Sequence, residues 1–242
     1  MRRLVGVGVG PGDPELVTVK GVRVLSEADL VVVPVMDPLE QGRAETTVRA
    51  HIGSDRVRRL VFALDDRGGP TAERLSAWEA AANAVAQQLV EHGGTVAFAT
   101  IGDPNVYSTF TYLSDAVRER VPDVVVETVP GITAMQDLAA RSGTVLCEGT
   151  ESLALLPLTA GVEAFEQALT SFDSVVAYKG GRHMPAVLDV LRRRGRLDGA
   201  VYGAALGLPD EQLGPAADAP APAPYLSTVI VPARRSTRGG KL

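Results

Sequence analysis

Three short loops carry the residue types in this chain that are best suited to bind a small ligand. They run from Gly8 to Leu16 (GVGPGDPEL), from Ala99 to Tyr107 (ATIGDPNVY) and from Val129 to Ala134 (VPGITA). Glycines allow a ligand to approach the backbone closely. A carboxylate such as Asp103 can accept hydrogen bonds from ribose hydroxyls, from an ammonium group or from backbone amides. Taken singly, the second and third loops could also be tight turns that cap a helix.

The first loop is poorly suited to phosphate. It lacks the third glycine of the dinucleotide fingerprint and the Lys-Ser/Thr pair of a P-loop. Pro11 removes one amide donor, and the carboxylate of Asp13 would repel an anion. The loop therefore favours a ligand without phosphate, and it disfavours a nicotinamide dehydrogenase.

The rare nucleophilic and metal-binding side chains form no pattern. The single cysteine, Cys147, has no accompanying histidine motif, and we expect a small buried thiol. His51, His92 and His183 share no metal-binding spacing, so no metal site is expected.

The elements that position the loops follow from the hydrophobic pattern. Buried strands are predicted at residues 3–9, 29–34, 58–63, 95–100 and 124–129, with helices at 14–28, 45–51, 71–92, 107–120 and 130–142. Strands that alternate with helices imply a parallel sheet, and ligands bind at the carboxyl edge of such sheets. Each motif loop follows a strand, so all three could face one crevice.

The second half predicts another sheet. Strands are expected at residues 153–156, 174–178, 201–205 and 225–231, helices at 162–170 and 184–194, and loops at 65–71 and 213–224. The pattern predicts an α/β protein with an N-terminal α/β domain at residues 1–130, a C-terminal α/β domain at 131–233 and a disordered tail at 234–242.

Composition narrows the class of function. The chain has 242 residues, a net charge of −5 and 45% hydrophobic residues, and the apolar stretch near its start is broken by glycines and by Pro11. A nucleic-acid partner normally selects a basic face, and a membrane span needs a run of roughly 18 apolar residues. We therefore expect a cytoplasmic protein that binds neither nucleic acid nor a membrane.

Together, the three loops resemble the tetrapyrrole methylase family. The likeness runs from Leu4 to about Pro232. It implies two α/β lobes of the class III methyltransferase type, with a cleft for S-adenosylmethionine between them. It also implies a homodimer and a tetrapyrrole substrate. S-adenosylmethionine has no phosphate, in agreement with the character of the first loop.

Further segments are most similar to the branch of this family that methylates carbon 20 of precorrin-2 in cobalamin biosynthesis. They are Ala99–Phe110 (ATIGDPNVYSTF), Tyr178–Arg182 (YKGGR) and Pro224–Ser227 (PYLS). Tyr202–Gly207 (YGAALG) departs from the family, where a run like Glu-Arg-Ala-Thr is expected. The alternatives are another tetrapyrrole carbon, a diphthamide precursor on a protein, and a noncatalytic protein that binds the cofactor or the tetrapyrrole.

The resemblance also assigns site residues, position by position. It implies contacts with S-adenosylmethionine, which becomes S-adenosylhomocysteine, at Pro11, Ile101, Gly102, Asp103, Val106, Thr133, Ala134, Lys179 and Leu206. It implies contacts with the substrate at Gly10, Asp13, Tyr107 and Arg182. The tetrapyrrole bears several carboxylates, which guanidinium groups bind well, and further cationic candidates are Lys20, Arg43 and His183. No catalytic residue is assigned: Glu148 is a candidate for the base that takes the displaced proton, but the sequence favours a loop carboxylate there.

Overall fold

A computed structural model describes residues 1–62 and 71–235 of the chain. They form two compact units, which divide between Thr133 and Ala134. Residues 65–70 of a predicted loop and residues 236–242 of the predicted tail lie outside the described residues. In the described part, no helix is long and apolar enough to cross a membrane.

The first unit contains the predicted parallel sheet. Its strands are β1 (Arg2–Gly8), β2 (Leu30–Val35), β3 (Val57–Val61), β4 (Gly94–Thr100) and β5 (Val125–Val129). The order is β3-β2-β4-β1-β5, and every neighbouring pair is parallel. Gly8 therefore pairs with Thr100, and Val7 pairs with Val129. The three strands that precede the motif loops are adjacent and end at the same edge.

Helices cover both faces of this sheet. They are α1 (Val19–Glu27), α2 (Arg43–Arg49), α3 (Ala72–Glu91) and α4 (Phe110–Arg120). Because side chains alternate along a strand, Leu4 packs in a buried cluster with residues of α3 and α4. Val5 and Val7 pack in another cluster with residues of α1 and α2. Helices therefore bury both faces of this apolar sheet, and the predicted α/β class is confirmed.

Three helices begin later than the sequence predicts, and one of them, α5 (Ala134–Ser142), starts at Ala134 rather than at residue 130. Asp13 caps a short 3-10 turn, Pro14–Leu16, and helix α1 starts only after Thr18, whose hydroxyl accepts from the Gly21 N–H at 3.0 Å. Helix α4 starts at Phe110 rather than at Tyr107, because Tyr107 has a φ of 50°, which an α-helix does not allow.

The second unit contains a mixed sheet. Its strands are β6 (Leu153–Pro157), β7 (Ser174–Tyr178), β8 (Val201–Ala204), β9 (Gln212–Pro215) and β10 (Ser227–Val231), in the order β6-β7-β10-β8-β9. Only the β6–β7 pair is parallel. Its helices are α5 (Ala134–Ser142), α6 (Val162–Ser171) and α7 (Met184–Arg193). Leu138 of α5 packs on one face of the sheet with Ile230, and Phe165 of α6 packs on the other face with Val229.

Two expectations for the second half are wrong. Strand β9 lies partly in the predicted loop at 213–224; it is an edge strand beside β8, where a proline is tolerated and a strong apolar pattern is not required. Cys147 is exposed rather than buried. It lies in the irregular segment between α5 and β6, which is mostly half-buried or exposed.

Candidate functional site

The first two motif loops are joined by backbone hydrogen bonds just beyond the ends of β1 and β4. The Val9 N–H donates to the Thr100 carbonyl at 2.9 Å, and the Gly102 N–H donates to the Gly10 carbonyl at 2.7 Å. The second bond forms an isolated antiparallel bridge between Gly10 and Gly102. These loops therefore leave the sheet as a pair with fixed relative positions.

Three glycines bring the backbones of all three loops into contact. A Cβ atom on Gly131 would lie 2.1 Å from the carbonyl oxygen of Gly102, and one on Gly8 would lie 2.5 Å from that same oxygen. Real Cβ atoms do not approach a backbone oxygen so closely, and no flexible side chain is there to give way. Gly102 itself has a φ of +69°, which disfavours any other residue. The close meeting of the loops therefore requires glycine at these positions.

Asp103 ties the second loop to the third. One carboxylate oxygen accepts from the Gly131 N–H at 3.0 Å, and the other accepts from the Asn105 N–H at 2.8 Å. The Asn105 side chain in turn donates to the Thr128 hydroxyl at 3.3 Å. Asp103 is thus a cap for the local turn, as one of the two sequence interpretations holds. Each oxygen keeps a second lone pair, so a ligand can still be bound there.

The other predicted residues of the first unit lie in these same loops. Pro11 and Thr133 are buried, and Ile101 and Val106 are half-buried. Asp13 accepts from the Glu15 N–H at 2.9 Å, so its carboxylate already serves as a turn cap. Tyr107 is 43% exposed, and partial burial raises the pKa of its phenol above the ordinary value.

In the second unit, the predicted residues also gather at one edge of the sheet. Ala134 opens α5, whose Met135 N–H donates to the Tyr178 hydroxyl at 2.9 Å. Lys179 follows β7, and its N–H donates to the Ser227 carbonyl at 3.1 Å. Ser227 pairs with Ala204 at the end of β8, so the segments that leave β7 and β8 are separated by a single strand.

The remaining predicted residues of the second unit differ in exposure. Leu206 follows β8, is only 4% exposed and packs with Leu138, so its side chain belongs to the core. Arg182 is exposed, and its Nε lies 3.2 Å from Nε2 of His183. Glu148 forms an ion pair with Arg235 at 3.2 Å. That pairing favours a structural role for Glu148 over that of a base.

Left-handed backbone angles occur in the same segments that hold the predicted site residues, and they are evidence independent of the sequence motifs. Among the described residues, three that are not glycine have positive φ: Tyr107 (50°), Lys179 (59°) and Ala205 (50°). Each costs roughly 1–2 kcal/mol, and such strain concentrates at binding and catalytic sites. Tyr107 and Lys179 were predicted site residues, whereas Ala205 lies in the segment Tyr202–Gly207 that departs from the family but was not itself predicted, because an alanine in a sequence gives no sign of its backbone angle.

The chemistry of the first-unit edge favours a cationic or hydroxyl-rich ligand. The three motif loops contain no lysine, arginine or histidine, and they contain the carboxylates of Asp13, Glu15 and Asp103. No group of three or more metal-binding side chains occurs within residues 1–62 and 71–235. Lys20, a candidate for substrate binding, instead lines a cavity of about 360 Å³ with Arg3 and Thr95, near the amino ends of β1 and β4. At that location, Lys20 is better explained as a surface charge than as a substrate ligand.

Comparisons of sequence place this architecture among known proteins. Residues 3–218 match the family model described as Tetrapyrrole (Corrin/Porphyrin) Methylases. A Precorrin-2 C(20)-methyltransferase from Sinorhizobium sp is 35% identical over 237 residues, which cover 95% of each chain. A Cobalt-precorrin-2 C(20)-methyltransferase from Salmonella typhimurium is 32% identical over 234 residues, again covering 95% of each chain.

A solved structure shares the fold. The uroporphyrin-III C-methyl transferase from Thermus thermophilus, solved in complex with S-adenyl homocysteine, superposes with a TM-score of 0.63. The match covers 94% of this chain and 96% of that one at 21% identity. The common architecture thus extends through both units.

Proposed function

The chain belongs to the tetrapyrrole methylase family, and from this premise we propose that it transfers a methyl group from S-adenosylmethionine to carbon 20 of a precorrin-2-type tetrapyrrole. The observation that carries the proposal is the likeness, over 95% of both chains, to a Precorrin-2 C(20)-methyltransferase. The geometry supports it, since the three family motifs meet at one sheet edge through contacts that admit only glycine.

The donor set at this edge fits S-adenosylmethionine. When bound, that molecule supplies an electrophilic methyl group on a positively charged sulfur. Asp103 would accept from its ribose hydroxyls or its ammonium group through the free lone pairs of the carboxylate. We assign the remaining cofactor contacts to Pro11, Ile101, Gly102, Val106, Thr133, Ala134, Lys179 and, through its backbone, Leu206.

The tetrapyrrole provides its own nucleophile, because a reduced macrocycle is an electron-rich enamine system. The work of the protein is then to hold both reactants in line and to exclude water. Alignment of two reactants can contribute about 7 kcal/mol. Gly10, Asp13 and Tyr107 would contact the macrocycle, and Arg182 would pair with one of its carboxylates. The family resemblance also supports a homodimer, which sedimentation would test.

An anaerobic methyl-transfer assay tests the proposed function. S-adenosylmethionine with a labelled methyl group is offered with precorrin-2 and, separately, with its cobalt complex, since the two relatives differ in that metal. A single labelled methyl at carbon 20, located by mass spectrometry and NMR, is the expected product. The preferred substrate then identifies the metal-free or the cobalt-bearing route. Tight S-adenosylmethionine binding without transfer to either compound would refute the proposal and favour a noncatalytic relative.

A further inference from the structure

The first motif loop is held from outside by two side chains that the family motifs do not include. The hydroxyl of Thr47, in helix α2, donates to the carbonyl of Gly12 at 3.2 Å. The Nε2–H of His51, just beyond α2, donates to the carbonyl of Pro14 at 2.9 Å. These two carbonyls lie on either side of Asp13, so both ends of this short segment are fixed.

Helix α2 is itself firmly anchored. Glu45 is fully buried and pairs with Arg49 of the same helix at 2.6 Å and with Arg59 of β3 at 2.7 Å. Burial alone would raise the pKa of the Glu45 carboxyl, but the hydrogen bonds from both arginines outweigh it and lower that pKa below its usual value. Glu45 is therefore ionised at neutral pH, and it joins α2 to the neighbouring strand.

The held segment needs external support. Gly12 has a φ of 154°, in the region that glycine alone adopts readily, and Pro11 has no N–H to donate. Thr47 is fully buried, and a buried hydroxyl is costly unless it is hydrogen-bonded. Because its hydroxyl is bonded to the Gly12 carbonyl, Thr47 does more than fill space in the core.

We propose that Thr47 and His51 are positioning residues: by holding Gly12–Pro14, they keep the adjacent Pro11 in the conformation that binds the cofactor. This inference deepens the proposed function and rests on it. The two residues act through the loop backbone, so their loss should weaken cofactor binding without removing any direct contact to it. It should also loosen the loop in the ligand-free protein.

Paired variants separate the hydrogen bond from the packing. Thr47→Val keeps the shape and removes the donor, whereas Thr47→Ser keeps the donor. We expect about three- to tenfold weaker calorimetric binding of S-adenosylmethionine for Thr47→Val, the size of one lost hydrogen bond, and near-normal binding for Thr47→Ser. Hydrogen exchange of the ligand-free protein should speed up at the amides of residues 12, 13 and 15–17 and stay unchanged in α3.

His51→Leu and His51→Gln form a second pair, which gives the answer if Thr47→Val does not fold, because Gln retains an N–H donor. Normal affinity and normal loop exchange in the folded donor-lacking variants would overturn the proposal, and so would equal losses within each pair. If the unaltered protein does not bind S-adenosylmethionine, the proposed function fails, whereas the exchange comparison still judges whether these two residues hold the loop.

Discussion

A carboxylate oxygen of Asp103 lies 3.0 Å from the backbone nitrogen of Gly131, and this hydrogen bond joins two of the three family motifs. The other oxygen of the same carboxylate accepts from the Asn105 N–H, so both oxygens already stabilise the protein itself. A ligand-binding carboxylate that is fixed in this way is oriented before the ligand arrives, which lowers the entropic cost of binding. The same side chain is then both a structural tie and the proposed anchor of the cofactor.

Asp103→Asn should weaken S-adenosylmethionine binding by about ten- to a hundredfold, because a hydrogen bond to a charged group contributes about 1.5–3 kcal/mol. Stability should fall as well, since one of the two backbone donors loses its acceptor. Asn105→Ala is the matched control in the same turn: it removes the bond to Thr128 and leaves the carboxylate in place. Calorimetric titration measures both variants. An unaltered affinity in Asp103→Asn would leave Asp103 as a structural tie alone.

Gly131→Ala should destabilise the first unit by about 3 kcal/mol, at the upper end of the cost of overpacking. Its Cβ would have to displace the Gly102 carbonyl and, with it, the second loop. Gly214→Ala is the control, since nothing lies within 4 Å of a Cβ there and its φ is not positive. Urea unfolding with calorimetric binding gives both readouts. Wild-type stability in Gly131→Ala would mean that the three loops are not packed this closely.

Lys179→Gly and Lys179→Ala should differ in stability but not in binding. Both remove the ammonium group, and only glycine relieves the left-handed φ of 59°. The glycine variant should therefore be more stable than the alanine variant by about 1 kcal/mol, while both lose the same binding affinity. Thermal unfolding and calorimetry measure the two effects separately. An alanine variant as stable as the glycine variant would argue that this position is not strained.

The pattern of buried apolar runs was sufficient to predict the strands of the first unit to within two residues at either end. Because the carboxyl ends of parallel strands lie at one edge of a sheet, the sequence also predicted that the three motif loops come together. Helix starts were less predictable, because the start of α4 depends on the left-handed angle of Tyr107, which the tertiary structure imposes. Strand β9 was missed because an edge strand needs little apolar pattern.

The supporting contacts of the site could not be predicted at all. Thr47 and His51 bond to the carbonyls of Gly12 and Pro14, and a backbone carbonyl has the same acceptor chemistry at every position in a sequence. Their pairing depends on where α2 lies against the sheet, which in turn depends on the ion pair between buried Glu45 and half-buried Arg59. Motif recognition identifies the loops, whereas the residues that hold them are found only in three dimensions.

Arg182→Ala should raise the Michaelis constant for the tetrapyrrole several-fold and leave the affinity for S-adenosylmethionine unchanged. The side chain is exposed beside His183 after β7, where a guanidinium can pair with a substrate carboxylate in bidentate geometry. Arg192→Ala is the control, since that arginine is exposed and pairs with Asp189 on α7. Equal constants for Arg182→Ala and the unaltered enzyme would show that Arg182 does not contact the substrate.

Lowering the pH should reduce the free energy of unfolding of the first unit, because Glu45 becomes protonated. Because the folded-state pKa of Glu45 is lowered from 4.5, its ionised form stabilises the fold fully above that value. The contribution is lost as the pH falls through the lowered folded-state pKa. Glu45→Gln should cost about 1.5–3 kcal/mol at pH 7, and the difference from the unaltered protein should shrink well below pH 4.5.

Asp123→Asn is the control, because Asp123 pairs with Arg2 at an exposed site and should contribute less than about 1 kcal/mol. Urea unfolding across this pH range makes the comparison. An equal loss at pH 3 and pH 7 would assign the effect of Glu45→Gln to packing, because the charge of Glu45 could then play no part in it.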